Sequence, residues 1–540
     1  MTTQMTILAS TAALAMAVAL FFELRRDLMM LQQNSYRNAR YMQWLRESGD
    51  STSMSRLCAL IIFFLGLTNL HLSVVALGSA LLYGVIRSWQ LATKRYKKPL
   101  VMTRRAARIM ATSCIIVIGI TCASTLLIGD VYAPYAFVAA ESLTACYALS
   151  HGIIMAACFI LIPVENAINR RYINDARRRL ADMPRLRVVG ITGSYGKTST
   201  KHFLNHILAE QFSVCMTPGN FNTTLGVVRT IREYLKPYDE IFIAEMGAKQ
   251  RGDIREICDI VHPCMGIITA VGPQHLQSFK TIENVRDTKF ELADALPADG
   301  LAVVNNDFEM IRTRKVDNVA VARYALDNTD EASYRACDII TTAHGTSFTI
   351  VGPDGLHLQL QTPLVGRCNI SNITAAIIIA LRLGVPAAKI AVAVRTLSQV
   401  EHRLSVRRIP GSYTILDDAY NSNPGGAEMA LDVLADMARD NHGRAIVVTP
   451  GMIELGDRQE ELNHAFGTQI GRKADIALVV GQYNHDAIIQ GIEETKDEEK
   501  GKGTEVLSFD TFAQAQQYIV MHAVHGDVVL YENDLPDTFK

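Results

Sequence analysis

Residues 188–200, V-V-G-I-T-G-S-Y-G-K-T-S-T, decide the fold of the larger part of this chain. Their β-branched beginning predicts a buried strand, and their glycines predict a tight turn that opens a helix near Lys197. In such a turn, backbone N–H groups and the positive end of the helix converge on phosphate oxygens. We therefore expect Lys197 to contact the β- and γ-phosphates of a nucleotide and the Thr198 hydroxyl to reach Mg²⁺.

The glycine spacing departs from the strict phosphate-binding pattern G-x-x-x-x-G-K-[ST]. Ile191 stands where that pattern requires its first glycine, and Gly193 and Gly196 give T-G-x-x-G-K-T instead. A tight turn with a lysine of no special role is the alternative interpretation. The order of strand, glycine turn, lysine and helix favours the phosphate site.

Short β-branched runs alternate with helix-like stretches from about residue 185 to the end of the sequence. This alternation predicts parallel α/β sheets. The region is too long for a single sheet, and the stretch 395–412 is a second boundary, so we expect two α/β domains. The predicted strands are 187–191, 240–246, 265–271, 301–306, 413–418, 445–450, 476–481 and 527–532.

The first 164 residues contain long uncharged runs, and about 20 apolar residues suffice for a helix to span a bilayer. All 14 basic residues of this region lie in two loops, 24–56 and 87–108. The positive-inside rule places both loops, and everything after residue 164, in the cytoplasm. The run 57–86 must then leave and return on one side, as two short crossings or a re-entrant hairpin, which predicts about five passes. The runs are 4–22, 57–86, 109–129 and 131–164.

Two ionisable residues, Glu141 and His151, lie in or near the last apolar run. Ionisable groups inside a membrane are functional candidates by default. For both residues the alternative is an ordinary structural position, which for Glu141 is the outer interface of the membrane.

Composition excludes several classes of protein. Of 540 residues, 49% are hydrophobic and 20% charged, which excludes a disordered or collagen-like chain. Of the 53 basic and 54 acidic residues, 14 and 6 lie in the first 164, which leaves 39 and 48 for the rest. This acidic remainder offers no broad basic surface, so we expect no nucleic-acid partner. The ten cysteines include no C-x-x-C pair, which argues against a zinc ribbon or a disulfide framework.

Polar residues follow the strands that lie nearest in sequence to the glycine turn. Glu245 ends a strand as A-E-M-G, and a carboxylate at the carboxyl end of a parallel strand suits a hard cation. A strand-end charge with no ligand is the alternative. His275 in G-P-Q-H-L and Lys289 in T-K-F-E-L would each be ordinary residues if taken alone.

Together these motifs resemble the Mur ligase family, over about residues 185–540. The patterns G-N-x-N, D-D-x-Y-N-x-N-P and M-x-E-L-G indicate the branch that adds D-alanyl-D-alanine to a muramyl peptide. The motifs, in family order, are T-G-S-Y-G-K-T-S-T (192–200), P-G-N-F-N (218–222), A-E-M-G-A (244–248), Q-H-L (274–276), T-K-F-E (288–291), G-R-C-N-I-S-N (366–372), H-R-L (402–404), D-D-A-Y-N-S-N-P (417–424) and M-I-E-L-G (452–456).

The resemblance implies an ATP-dependent ligase that phosphorylates a carboxylate to an acyl phosphate, which an amine then attacks to form an amide. It implies that Thr198 and Glu245 bind one Mg²⁺, that His275 binds another, and that Lys289 is carbamylated and so becomes a metal ligand. Lys197 and His275 would be catalytic together with Lys289. The resemblance further assigns Gly193, Ser194, Tyr195, Gly196, Ser199, Asn369, Asn372, Arg403 and Asp418 to ATP, and Asn220, Asn222, Tyr420 and Asn421 to the substrate.

Three features depart from the family pattern. Cys368 stands where a histidine is usual, which affects stacking on the base, and Gly451 stands where aspartate is common. The soluble N-terminal domain that holds the UDP end of the acceptor is replaced by the apolar region. The acceptor is therefore expected to be either UDP-linked or lipid-linked, with membrane lipid as a further partner.

The sequence thus predicts a helical transmembrane region at 1–168, a P-loop ATPase-like central domain at 169–395 and a Rossmann-like C-terminal domain at 396–540. The leading hypothesis is a ligase of peptidoglycan precursor synthesis, bound to the bacterial plasma membrane with its ligase domains in the cytoplasm, that joins a muramyl peptide to D-Ala-D-Ala or a similar amine. The alternatives are a poly-γ-glutamate synthetase-like ligase and a non-catalytic, nucleotide-binding membrane scaffold.

Overall fold

A computed structural model divides the chain after Asn169 into two compact units. It describes residues 3–68, 70–96, 98–129, 134–342, 345–419, 422–496, 498 and 503–533.

The first unit consists of helices. α1, α5 and the part of α4 from Leu72 are long and apolar enough to cross a membrane, and α6 and α7 form an apolar pair bent by 78°. By length and composition the described helices therefore supply three crossings, or up to four if the bent pair is one span, whereas the sequence predicted about five. The helices are α1 (Thr3–Gln33), α2 (Asn38–Ser48), α3 (Met54–Gly66), α4 (Leu70–Thr93), α5 (Arg104–Ile128), α6 (Tyr135–Ala148) and α7 (Ser150–Ile160).

The difference lies in the run 57–86. It forms the 13-residue α3 followed by the longer α4, with a break after Gly66. Thirteen residues make a helix of about 20 Å, which is shorter than the hydrocarbon core of a bilayer. Whether this segment crosses twice or forms a hairpin stays a prediction.

A buried ionic network joins the helices of the first unit. Arg56 lies 3.0 Å from Glu23 and 3.0 Å from Asp27, and all three side chains are almost fully buried. His151 Nδ1 lies 3.2 Å from Asp27, and Tyr41 lies 2.8 Å from the same nitrogen. His151 therefore belongs to an ionic network in which each charge faces an opposite charge. Such a network can have a purely structural role.

Glu141 is different, because its buried carboxyl has no hydrogen bond or ion pair with any described residue. It packs against the end of α3, where a Cβ added to Gly66 would lie 2.2 Å from Glu141 Oε1.

The second unit contains two sheets, the first of nine strands. Its order is β2-β3-β1-β4-β5-β6-β7-β8-β9. Pairing is parallel from β2 to β7, and β8 pairs antiparallel with both of its neighbours. The strands are β1 (Arg187–Thr192), β2 (Val214–Met216), β3 (Ile241–Glu245), β4 (Met265–Ile268), β5 (Leu301–Asn305), β6 (Ala320–Ala325), β7 (Tyr334–Thr342), β8 (Gly345–Val351) and β9 (His357–Thr362).

Helices cover both faces of this sheet, as expected for β-strands that are buried on both sides. One apolar core contains Phe203 of α9 and Ile373 of α15, and the other contains Val227 of α10 and Phe290 of α13. The helices are α8 (Ile162–Ala181), within which the boundary between the units falls, α9 (Lys197–Ala209), α10 (Thr224–Glu233), α11 (Asp253–Val261), α12 (Leu276–Phe279), α13 (Ile282–Asp294), α14 (Glu309–Arg312), α15 (Arg367–Arg382) and α16 (Ala387–Arg395).

The second sheet has six strands in the order β10-β11-β15-β12-β13-β14. Only β10 is antiparallel to its neighbour. The elements are β10 (Ser405–Arg408), β11 (Thr414–Asp418), α17 (Pro424–Asp440), β12 (Ala445–Thr449), α18 (Gln459–Lys473), β13 (Ile476–Val480), α19 (His485–Glu494), β14 (Glu505–Phe509), α20 (Phe512–His522) and β15 (Val528–Glu532).

All eight strands predicted from the sequence are present, and two α/β sheets are confirmed. The sheets are mixed rather than purely parallel, because β7 to β9 form an antiparallel meander and β10 reverses direction at the edge of the second sheet. β7 and β9 are largely exposed on one face and lack the continuous apolar runs that identified the predicted strands.

Candidate active site

The glycine turn after β1 has the geometry that the sequence predicted. Gly193 and Gly196 adopt φ values of +150° and +82°, and α9 begins at Lys197. A Cβ on Gly193 would lie 2.1 Å from Thr269 Oγ1, so a larger residue there would displace the Thr269 side chain. The buried Ser194 hydroxyl donates to the Gly272 carbonyl at 3.1 Å and holds the turn against the loop after β4.

Lys197 lies inside this turn, and its ammonium group donates to the carbonyls of Gly193 and Ser194. Burial lowers the pKa of Lys197 to about 8, and the nearby Glu245 carboxylate opposes that shift. Carbonyl oxygens are weak partners for a cation, so an incoming phosphate group would be a stronger one.

Glu245 ends β3 beside the turn and is almost completely buried. Its Oε1 accepts from the Thr198 hydroxyl at 3.2 Å and from the Asn222 amide at 3.0 Å. Its Oε2 lies 2.9 Å from Nζ of Lys201, which is also fully buried. Burial favours the protonated carboxyl, but the ammonium groups of Lys201 and Lys197 hold the pKa of Glu245 below its usual value.

Lys289 on α13 is 1% exposed and makes no ion pair or hydrogen bond with the residues that the structure describes. Burial and then the charge of Lys197 hold the pKa of Lys289 well below its ordinary value. The Lys289 side chain is therefore an amine with a lowered pKa, near Lys197 of the phosphate loop.

His275 precedes α12 at a φ of +53°, and its Nδ1 is in close contact with a carboxylate oxygen of Glu454. Burial lowers the pKa of His275, whereas the contact with Glu454 raises it. Glu454 comes from the loop after β12, so this contact joins the two sheets.

A cavity of about 100 Å³ lies between the glycine turn, α15 and the loops of the second sheet. Asn369 and Asn372 are buried on its wall, and the Asn372 side chain accepts from Thr200 at 3.1 Å. Arg403 and Asp418 line its other side. The remaining lining includes Tyr195, Gly196, Ser199, Asn305, Phe308 and Cys368.

Two lining residues have shifted pKa values. Burial raises the pKa of Asp418 to about 6, although Arg403 and the Leu404 backbone N–H favour its ionised form. Burial also raises the pKa of the Cys368 thiol to about 12, with the Asp418 carboxylate as the second cause. The cysteine that replaces the expected histidine is therefore an uncharged wall residue.

The structure thus brings most of the sequence-predicted residues to one edge of the two sheets. Asn220 is the exception, since its side chain is exposed and makes no hydrogen bond within the described ranges. Tyr420 and Asn421 lie outside the described residues. Sequence reasoning assigned no role to Lys201, and it gave Glu454 none beyond its place in the motif M-I-E-L-G. Lys201 follows Lys197 by one helical turn, so its position on the same helix face was the available signal.

The comparisons with known proteins agree with this geometry. The Mur ligase middle domain matches residues 191–380, and the Mur ligase, glutamate ligase domain, matches residues 402–531. UDP-N-acetylmuramoyl-tripeptide–D-alanyl-D-alanine ligase of Escherichia coli is 32% identical over 311 residues, which are 55% of this chain and 65% of that protein. The Bacillus subtilis enzyme of the same name is 28% identical and covers 53% of this chain and 60% of its own length. The chain thus spans less than two thirds of either relative.

Solved structures share the fold. MurF from Acinetobacter baumannii has a TM-score of 0.60 at 24% identity and covers 68% of this chain and 77% of its own. MurF ligase from Thermotoga maritima in complex with ADP has a TM-score of 0.59 at 25% identity and covers 68% and 80%. Members of the matched family are ATP-dependent ligases that form C–N bonds. Through its middle and C-terminal domains, the chain belongs to the Mur ligase family.

Proposed function

We propose that this chain is a membrane-anchored, ATP-dependent amide ligase that joins a muramyl-peptide carboxylate to D-Ala-D-Ala or a similar amine in peptidoglycan precursor synthesis. The observation that carries the proposal is the meeting of Lys197, Thr198, Glu245 and the buried Lys289 beside one phosphate-binding turn. Both curated relatives named above carry D-alanyl-D-alanine ligase in their names, which supports this choice of amine.

The chemistry requires two displacements. A carboxylate oxygen of the acceptor attacks the γ-phosphorus of ATP, ADP leaves, and an acyl phosphate results. The amine then attacks the acyl carbon, loses a proton and expels phosphate. Lys197 would stabilise the negative charge on the transferred phosphoryl group, because its ammonium is held at the glycine turn with only carbonyl partners.

The donor set at this edge fits Mg²⁺. The Thr198 hydroxyl and the Glu245 carboxylate are hard oxygen donors that already face each other at 3.2 Å. They would hold one ion, and His275 with Lys289 would hold the other. When bound, Mg²⁺ neutralises phosphate charge during the transfer.

Lys289 suits the carbamylation that the family resemblance implies. Its lone pair must be free to attack CO₂, and a buried amine beside another lysine disfavours the ammonium form. The attack forms an N–C bond and releases a proton, which turns a cationic side chain into an anionic oxygen donor.

The cavity would take the nucleoside. Asn369 and Asn372 would contact the base, and Arg403 and Asp418 would close over the ribose and phosphates. Asn222 would face the substrate carboxylate from beside Glu245. Asn220, Tyr420 and Asn421 remain expectations from the family resemblance.

Membrane anchoring through the helices of the first unit is part of the proposal. Three or up to four of these helices have the length and composition of spans, and the matched domains begin only at residue 191. We infer that the ligase domains are cytoplasmic and that the acceptor is either UDP-linked or lipid-linked. Membrane lipid is then a partner of the first unit.

The test is phosphate release by the detergent-purified full chain with ATP and Mg²⁺, with acceptor and amine added separately and together. Phosphate and an amide product that require UDP-muramoyl-tripeptide and D-Ala-D-Ala together, and that Lys197→Ala abolishes, are expected. Activity with a lipid-linked acceptor alone would reassign the acceptor, and activity with glutamate would favour the poly-γ-glutamate alternative. No turnover with any pair would contradict the proposal and favour a scaffold.

A further inference from the structure

The loop at residues 451–456, here called the 451–456 loop, reaches from the second sheet to α12 beside the first sheet. Besides the contact between Glu454 and His275, the Gln277 backbone N–H donates to the Glu454 carbonyl at 3.3 Å. A Cβ on Gly456 would lie 3.2 Å from the Gln277 nitrogen, so the two backbones approach closely here. Leu276 and Leu455 are buried in the same apolar core.

Hydrogen bonds anchor the backbone of the 451–456 loop close to Glu454. Met452 is fully buried, and its N–H donates to Asn463 at 2.8 Å. Its carbonyl accepts from both Asn463 and Asn484, at 3.1 and 3.0 Å. The backbone of the loop that carries Glu454 is therefore anchored by residues that follow β12, in the domain of the second sheet.

Both residues of the contact also have unusual backbones. His275 and Glu454 adopt φ values of +53° and +63°, a left-handed conformation that residues with a Cβ seldom adopt. Such conformations persist where the surroundings compensate for their cost, and they occur often at functional sites.

The contact uses Nδ1 of His275, so Nε2 is the ring nitrogen that Glu454 leaves available to a cation. Histidines that bind metals usually donate their other ring N–H to a carboxylate, which fixes the orientation of the ring. Lys249 Nζ lies 3.9 Å from the second oxygen of Glu454, so a positive charge also faces this carboxylate.

We propose that Glu454 is a positioning residue for the metal site, which holds the His275 ring through Nδ1 so that Nε2 faces the cation. This inference rests on the proposed function, because it requires His275 to be a metal ligand. It adds that the site is completed by the second sheet, so that docking of the C-terminal domain and metal binding favour each other.

The experiment measures Mn²⁺ binding to the full-length protein with ADP, by electron paramagnetic resonance of the free ion, and needs no turnover. Removal of such a carboxylate typically weakens metal binding about 10–100-fold. We expect that loss in Glu454→Ala and a smaller loss in Glu454→Gln, which keeps the size of the side chain and an acceptor oxygen. Asp457→Asn, which removes an exposed carboxylate three residues away, is the matched control and should bind like the wild type.

A second comparison tests whether Glu454 acts through His275. If it does, adding Glu454→Ala to His275→Ala causes little further loss of Mn²⁺ affinity, and ADP affinity without metal is unchanged in both single variants. The inference would be overturned if Glu454→Ala lowered Mn²⁺ affinity equally in the wild type and in His275→Ala. It would also be overturned if Glu454→Ala weakened metal-free ADP binding as much as Mn²⁺ binding. Wild-type Mn²⁺ affinity in both Glu454→Gln and Glu454→Ala would overturn it as well. If the wild type itself binds no Mn²⁺ with ADP, the proposed function fails first and the inference with it.

Discussion

Lys201 Nζ lies 2.9 Å from Glu245 Oε2, and both side chains are buried to within 1%. The same ammonium donates to the Gly219 carbonyl at 2.7 Å. Glu245 is therefore compensated by a lysine from its own domain before any cation binds. An enzyme that must keep a buried carboxylate ionised between turnovers requires such a partner.

We expect Lys201→Met to destabilise the protein by about 3–5 kcal/mol, because it removes the counter-charge in direct contact with the buried Glu245. The measurement is thermal or denaturant unfolding of the detergent-purified protein without metal. Adding Glu245→Gln to Lys201→Met should recover most of the loss, since neither charge then remains. A double variant that is less stable than Lys201→Met would contradict the ion-pair explanation.

Gly193→Ala should both destabilise the protein and weaken ADP binding. The new Cβ would meet Thr269 Oγ1 at 2.1 Å in a left-handed backbone, which costs about 2–5 kcal/mol in strain and overpacking together. Gly252→Ala is the matched control, because Gly252 has a φ of +88° but nothing within 4 Å of its added Cβ. The control should lose only about 1–2 kcal/mol. Equal losses in the two variants would show that the contact with Thr269 is unimportant.

Asp418 should make stability depend on pH. Its pKa is raised from 3.8 to about 6, so the folded state disfavours the ionised carboxylate that the unfolded chain readily forms. The protein therefore loses stability relative to Asp418→Asn as pH rises from about 4 to about 6, and the difference stays constant above that. Melting temperatures of the two proteins between pH 4 and pH 8 test this, and a constant difference across the range would contradict it.

Cys368 should be unreactive in the native protein. Burial raises the pKa of its thiol to about 12, so almost no thiolate is present at pH 8. Mass spectrometry after brief iodoacetamide treatment should find Cys368 unmodified in the native protein and modified after denaturation in urea. Rapid native modification would contradict the raised pKa of this thiol on the cavity wall.

Local sequence was sufficient for eight of the parallel strands and for the glycine turn, whereas β2, β6 and β14 were missed. A strand that is buried on both faces must be apolar throughout, and a turn packed against Thr269 must contain glycine. Both requirements therefore produce a pattern that can be recognised in consecutive residues. The antiparallel strands β7 to β9 were missed because an edge meander with one exposed face requires no such run.

Tertiary structure alone decided which charges meet. Lys201 lies 44 residues from Glu245 along the chain, and His275 lies 179 residues from Glu454. Their contacts follow from the strand order of two sheets and from the docking of one sheet's loops on the other. The residues of the phosphate turn are therefore predictable from a short stretch of sequence. Which charged side chains pair in the site depends on packing between distant segments, and no local sequence pattern predicts that.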